Sequence, residues 1–278
     1  MYFIVDFFIF LFGLIIGSFL NAAIYRLSLL DFSFWKSLGG RNRSYCPRCK
    51  HPLAWLDLVP VVSFLLLQGK CRYCHKKISW QYPIVEVATG LLFVLIFKYQ
   101  FSSISQLSSF NYQSFIALCF MFYVSCSMII IFVYDLKYYL IPDNILFPAI
   151  GVAFIFHLFS GILIGNWILG FGNSIAAAIV ASGFFLCIYV VSRGAWMGFG
   201  DVKLAILLGL LLGWPNILVG LFLSFFFGAI IGVVLMLLSK KGLKSEIPFA
   251  PFLIAGTLVA MFWGEKIIYW YFNLFLFS

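Results

Sequence analysis

Long apolar stretches, separated by short polar segments, recur along almost the whole chain. Their approximate bounds are 4–25, 84–101, 114–134, 145–164, 174–192, 202–214, 216–238 and 250–276. A helix rises about 1.5 Å per residue, so roughly 20 apolar residues cross the hydrocarbon core of a bilayer. Apolar positions run continuously within each stretch instead of alternating, which favours helices over strands. The pattern therefore predicts an all-α polytopic membrane protein with about eight transmembrane helices.

Two of these stretches are irregular. The sixth is short, and the sequence GWPN at 213–216 predicts a tight turn after it, since Pro215 cannot continue a helix. The last is long and contains Glu265 and Lys266, so we expect it to be broken or to lie partly at the membrane interface.

One sizeable region, residues 27–83, lacks a membrane-spanning pattern. We therefore divide the chain into a first transmembrane helix at 1–26, a small soluble domain at 27–83 and a membrane domain at 84–278. The soluble domain lies between the first and second predicted helices.

Composition and charge agree with this pattern and orient it. Of the 278 residues, 64% are hydrophobic and 10% are charged, against about 45–50% and about 25% in soluble proteins. If the helices alternate from an outside N-terminus, 16 of the 18 Lys and Arg residues are cytoplasmic, and Lys98 and Lys266 are outside. This is the positive-inside bias. We therefore expect the cytoplasmic (inner) membrane of a cell, with residues 27–83 on the cytoplasmic side. The net charge of +9 then reflects orientation and anionic lipid, not nucleic acid.

Four cysteines in the soluble domain have the spacing of a zinc site. They form two C-x2-C pairs separated by 21 residues: Cys46, Cys49, Cys71 and Cys74. Each pair places two thiolates on one turn, and two such knuckles complete a tetrahedral Zn²⁺ site. Two disulfides are the alternative, which a reducing compartment disfavours. A region with so little apolar sequence would depend on the metal to fold, so the expected role of Zn²⁺ is structural.

Acidic residues at the ends of apolar stretches are the second candidate for chemistry. Asp135 ends the third stretch, Asp201 begins the sixth, and alternating topology places both on the cytoplasmic side. Two carboxyl groups in one site can share a proton, so that one takes a proton from water while the other polarises a carbonyl. This predicts a two-carboxylate hydrolase that needs no metal at its site. The alternative is a helix cap, or an ion pair with nearby Lys137 or Lys203.

Glycines surround the second carboxylate. In the sequence GFGD, Gly198 and Gly200 precede Asp201. Glycine permits close backbone approach, so an unwound segment here could pair with a substrate peptide by strand addition. A simple loop between helices is the alternative.

Taken in order, these motifs resemble the bacterial type IV prepilin peptidases, which are GxGD-type intramembrane aspartic proteases. The resemblance rests on the cysteine quartet together with GSFLNAAIYRL (17–27), YPIVEVATG (82–90), YDLKYYLIPD (134–143), GFGDVKLAILLGLLLGW (198–214) and IPFAPFLIAG (247–256). It spans nearly the full chain. The pattern IPFGP of this family reads IPFAP here, with Ala250 in place of Gly.

The resemblance implies a catalytic pair of Asp135 and Asp201. Gly198, Gly200 and Lys203 would support this pair, whereas Asp143 would cap the helix that follows Pro142. The substrates implied are membrane-bound prepilins or pseudopilins, which serve type IV pili, competence or protein secretion. The short basic leader of such a substrate is removed, typically after Gly.

Members of this family are often bifunctional. They then methylate the new N-terminal residue, often Phe, with S-adenosylmethionine as the methyl donor. Relatives without the cysteine loop only cleave, so its presence here implies both activities. Candidates for methyl transfer are Gly69, Lys70 and Glu86, although Gly69 and Lys70 equally suit a knuckle turn. Glu86, Asn21 and Arg26 also match motifs of the family, and they could either line the methyl-transfer site or merely buttress the loop against the membrane.

Two other functions stay open at this stage. One is a peptidase whose zinc domain is only a scaffold. The other is an ion transporter whose aspartates bind cations and whose zinc domain regulates gating, although the interiors of helices three to eight carry few acidic residues.

Overall fold

A computed structural model describes residues 2–29, 44–102, 112–164, 171–238 and 247–276 of the chain. These residues belong to two compact units, Met1–Ile130 and Ile131–Ser278, each of which is described by itself. The predicted division at residues 26/27 and 83/84 is a different one and stays a prediction.

Helices form nearly all of the regular structure in the described ranges. They are α1 (Tyr2–Leu29), α2 (Val62–Leu66), α3 (Gln81–Ser102), α4 (Tyr112–Tyr138), α5 (Asp143–Ile164), α6 (Asn173–Ser192), α7 (Phe199–Leu212), α8 (Asn216–Leu237) and α9 (Ala250–Leu276), with a 3-10 helix at Trp55–Leu58. All but α2 and α7 contain a segment long and apolar enough to cross a bilayer, which gives seven candidate spans in this part of the chain. The predicted all-α polytopic membrane fold is confirmed.

The two irregular stretches behave differently from one another. Helix α7 has 14 residues and is about 21 Å long, shorter than the roughly 30 Å hydrocarbon core, and Gly213 to Pro215 turn the chain after it. Helix α9 continues without interruption through Glu265 and Lys266 over 27 residues, so the break considered from the sequence does not occur.

In the first unit, α1 packs along α3 through small residues. A Cβ atom on Gly13 would lie 2.6 Å from Cα of Gly90, and one on Gly17 would lie 2.6 Å from Cα of Glu86. Backbones can approach this closely only where side chains are absent, which is how helices associate when lipid is as apolar as their own surfaces.

In the second unit, α7 is the central helix. It packs most extensively on α6 and also contacts α5, α8 and α9, and its Leu204, Leu207 and Leu208 are fully buried. Gly209 lies so close to the backbone of Ala178 on α6 that a Cβ atom would overlap it. This contact sets the distance between the two helices.

We expect Gly209→Val to destabilise the protein by about 3 kcal/mol, because the new side chain must displace the α6 backbone. The matched control is Gly183→Val on α6, where a Cβ atom meets nothing within 4 Å. The measurement is the apparent unfolding temperature of each variant in detergent. Equal unfolding temperatures for the two variants would contradict the close-packing account.

Candidate active site and metal centre

The two aspartates predicted to act together lie in the same unit. Asp135 is in the last turn of α4 and Asp201 is in the first turn of α7. Their side chains are buried, with exposed fractions of 5% and 8%, and their carboxyl groups are close enough to repel each other electrostatically. The structure therefore brings together two groups that are 66 positions apart in sequence.

Each carboxyl group faces a backbone N–H from a neighbouring segment. The Ala250 N–H, at the first position of α9, is directed at Asp135. The Gly198 N–H, just before α7, is directed at Asp201. The first N–H groups of a helix have no partner within the helix and carry a partial positive charge, so they suit a carboxylate that has lost water.

Gly198 and Gly200 of the GFGD sequence have different structural roles. Residues 193–198 are non-helical, with extended backbone at Gly198 (φ −77°, ψ 151°), as expected for an unwound segment. Gly200, in contrast, belongs to α7, and a Cβ atom there would lie 3.2 Å from the side chain of Ile141. Its small size lets α7 approach the segment that follows α4.

Lys203 contacts Asp143 and not the candidate catalytic residues Asp135 and Asp201. Its ammonium group forms an ion pair with Asp143, the first residue of α5, and lies 5.4 Å from the Phe147 ring centre and 5.8 Å from that of Phe199. The pair joins the first turns of α5 and α7, and so holds the turn that carries Asp201.

The cysteine quartet of the first unit has the geometry of a metal site. The Sγ atoms of Cys46, Cys49, Cys71 and Cys74 all lie within 4.8 Å of one another, and all four are free thiols. With Zn–S bonds of about 2.3 Å, tetrahedral coordination places sulfur atoms about 3.8 Å apart. The cluster therefore fits one tetrahedral Zn²⁺ better than two disulfides.

The two C-x2-C segments fold in the same way. The N–H of Cys46 donates to the His51 carbonyl at 3.0 Å, and the N–H of Cys71 donates to the Lys76 carbonyl at 2.9 Å. Lys50 and His75, which follow the second cysteine of each pair, have positive φ angles of 57° and 55°. These two equivalent turns bring the four sulfur atoms into one cluster.

His51, which follows the first cysteine pair, has partners other than a metal. Its ring stacks on Tyr73 with 3.7 Å between ring centres, and its Nδ1 lies 2.8 Å from the Pro52 carbonyl. Burial raises the pKa of the Cys46 thiol, but the backbone N–H groups of Cys49 and Arg48 outweigh it and lower that pKa to about 7. The thiolate that a metal requires is therefore accessible near neutral pH.

Asp57 holds this domain together, which sequence patterns did not indicate. Its carboxylate accepts hydrogen bonds from Arg72 at 2.7 Å, the Ala54 N–H at 3.1 Å and the Tyr73 hydroxyl at 3.2 Å. Burial raises the pKa of Asp57, but these donors outweigh it and hold it below its usual range. Asp57 thus ties the 3-10 helix to the second knuckle, and nothing in local spacing points to that pairing.

The candidates for methyl transfer make structural contacts. Gly69 has φ +67°, donates to the Phe64 carbonyl at 2.8 Å and accepts from the Ile78 N–H at 2.7 Å. These contacts favour a turn before the second knuckle. Lys70 is exposed and forms a β-bridge with Lys77.

Glu86, on α3, links the loop to the membrane helices. Its buried carboxylate accepts a hydrogen bond from the Val61 N–H at 2.8 Å, and Asn21 on α1 donates to the Tyr82 carbonyl at 3.0 Å. The Glu86 contact fits the buttressing alternative, whereas the Asn21 contact joins α1 to α3. Their assignment to methyl transfer or to support stays a prediction.

Comparison with known proteins gives consistent matches along the chain. Residues 11–100 match the bacterial peptidase A24 N-terminal domain, and residues 121–233 match the type IV leader peptidase family. The chain is 31% identical to a prepilin leader peptidase/N-methyltransferase of Aeromonas salmonicida, over 96% of this chain and 94% of the relative. It is 32% identical to one of Bacillus subtilis, over 96% and 98%, and 30% identical to one of Legionella pneumophila, over 94% and 92%. No solved structure matches the chain.

We expect purified protein to contain about one Zn²⁺ per chain, bound by the four thiolates. Cys71→Ser removes a buried ligand, so we expect it to abolish zinc binding. The matched control is Cys187→Ser, which changes an exposed thiol on α6 and should keep the full zinc content. Metal analysis by mass spectrometry measures this. Equal zinc contents in the two variants would show that the metal, if bound, lies elsewhere.

Proposed function

The chain belongs to the type IV leader peptidase family, and from this we propose that it cleaves the leader from prepilin-like membrane proteins and then methylates the new N-terminus. The observation that carries the peptidase proposal is the buried pair Asp135 and Asp201, whose carboxyl groups interact across the ends of α4 and α7. The relatives named above bear both activities in their names.

The pair supplies an acid and a base in one site. One carboxylate takes a proton from a water molecule, and the resulting hydroxide forms a bond to the scissile carbonyl carbon. The protonated partner donates its proton to the carbonyl oxygen, so that a neutral tetrahedral intermediate forms. Its collapse breaks the C–N bond, and the amine leaves after receiving a proton from the site. The proposed steps of hydrolysis use no metal.

Neighbouring groups hold the pair in position. The Ala250 and Gly198 N–H groups orient the two carboxyl groups, and the Lys203–Asp143 ion pair fixes the first turn of α7. The non-helical residues 193–198 offer backbone groups to which an extended substrate can add.

The methyl-transfer proposal assigns the second reaction to the zinc domain. The new N-terminal amine attacks the methyl group of S-adenosylmethionine, S-adenosylhomocysteine leaves, and the amine loses a proton. Lys70 would pair with the carboxylate of the methyl donor, Gly69 would allow the close turn beside it, and Glu86 would hold the loop against α3 through Val61. Zn²⁺ would be structural, because only three residues between 44 and 80 are buried, namely Cys46, Phe64 and Cys71.

The charge distribution supports the proposal that both activities lie on the cytoplasmic side of the inner membrane. With an outside N-terminus, the basic region between α1 and α3 is cytoplasmic, as are the end of α4 and the start of α7. A prepilin or pseudopilin anchored by its apolar helix, with its leader in the cytoplasm, meets the carboxyl pair at this face.

We expect Asp135→Asn and Asp201→Asn each to lower cleavage at least about 100-fold, since each removes half of an acid–base pair while keeping side-chain size. Asp143→Asn is the matched control. The Asp143 side chain is half exposed, and an ion pair of an exposed side chain contributes about 1 kcal/mol or less, so activity should fall less than about fivefold. The measurement is cleavage of a prepilin-like substrate by purified protein in lipid. Wild-type rates in either of the first two variants would refute the two-carboxylate mechanism.

We expect Lys70→Ala to lower methylation of the product while cleavage is unchanged, because the loop is separate from the carboxyl pair in sequence and chemistry. Lys76→Ala, an exposed lysine on the same knuckle, is the control and should leave both reactions intact. Mass spectrometry of the product with S-adenosylmethionine supplied reports both. If the wild-type protein cleaves the substrate but its product is never methylated, the result would favour a peptidase whose zinc domain is only a scaffold.

A further inference from the structure

An apolar groove of about 610 Å³ lies in the second unit, next to the turn of α4 that carries Asp135. Phe132 and Leu136 line it, and they occupy the positions three before and one after Asp135 on α4. Pro251 also lines it and follows Ala250, whose N–H faces Asp135. The groove therefore begins where the first carboxyl group is held.

The groove is uncharged. Its lining residues come from α4, α8, α9 and the segments next to them, and the Tyr139 hydroxyl is the one polar side-chain group among them. Burying an ionised side chain here would cost several kcal/mol, whereas an apolar side chain would be stabilised. Its volume lies within the range of about 300–1,000 Å³ that is usual for ligand sites, and it can hold more than one side chain.

One wall of the groove faces the lipid. Ile230 and Ile231 line it from α8, and 46% and 44% of their surfaces are exposed within a candidate membrane span. A ligand that is itself embedded in the membrane can therefore reach the groove sideways, without first entering water.

We propose that this groove binds the apolar segment that follows the scissile bond of the substrate. The inference rests on the proposed function, and it deepens it by assigning a specificity site. The resemblance to the family implies that the two sides of that bond differ in chemistry, since the leader is short and basic whereas the new N-terminal residue is often Phe and belongs to a membrane-bound protein. An uncharged groove that opens to lipid fits the apolar segment after the scissile bond, and it disfavours the basic leader.

Ala255 is a small residue that lines the groove from α9. Its methyl group leaves space that a larger side chain would fill, while the residue of α9 that faces Asp135 is Ala250, five positions earlier. Enlarging Ala255 therefore narrows the groove without replacing any group assigned to the chemistry.

The test compares two substrates in proteoliposomes. One carries bulky residues such as Phe and Leu in the first positions after the scissile bond, and the other carries Ala there. We expect Ala255→Phe to lower kcat/KM about tenfold or more for the bulky substrate and less than about twofold for the Ala substrate. Retained cleavage of the Ala substrate shows that the variant is folded.

A second pair of variants tests the lipid-facing wall. Ile231→Trp places a large ring at the groove. Like Ala255→Phe, it should lower kcat/KM more for the bulky substrate than for the Ala substrate. Val233→Trp, at an exposed position of α8 outside the lining, should leave both substrates unaffected.

Equal losses for the two substrates, or no loss in either groove variant, would overturn the inference and leave the groove as a lipid-filled surface, with the proposed function intact. Failure of the unmodified protein to cut either substrate would instead overturn the proposed function, and the inference with it.

Discussion

Close approach of helix backbones at small residues is the constraint on which the second unit depends. Lipid provides no hydrophobic force between membrane helices, so they associate where backbones can touch. Gly209 lies against Ala178 between α6 and α7, and Gly256 lies against Ser224 between α8 and α9. Helix α7 also contacts α9. These contacts bring the first turns of α7 and α9 to the end of α4, and the site is a consequence of that convergence.

Convergence of helix starts also makes the buried carboxyl groups tolerable. A carboxylate without water needs donors, and the unpaired N–H groups at the beginning of a helix supply them where side chains are scarce. Ala250 serves Asp135 in this way. The contact uses the backbone, which alanine provides as well as glycine does. The departure from the IPFGP pattern therefore leaves this interaction unchanged, and the methyl group of Ala250 is accommodated in a fully buried position.

The sequence predicted those features whose physical cause is local or repeats along the chain. Continuous apolar runs report burial in lipid directly, and the C-x2-C spacing reports two knuckle turns, so the helices and the thiol cluster were predictable. The approach of Asp135 to Asp201 followed from membrane depth. What depended on pairing between distant segments was not predictable: that Lys203 contacts Asp143, that Asp57 binds Arg72, and that Ala250 faces Asp135.

The contact between Glu86 and Val61 shows why such pairings matter in the first unit. Val61 has φ +59°, which is costly for a β-branched residue, by about 1–3 kcal/mol. Its N–H is held at 2.8 Å by the buried Glu86 carboxylate on α3. A strained residue persists only where its surroundings determine it, and here the determining group belongs to a helix that α1 contacts at Gly17. The loop is thus fixed at two points of different chemistry, by its clustered thiols among themselves and by one carboxylate to the membrane helices. The second point does not depend on the state of the thiols.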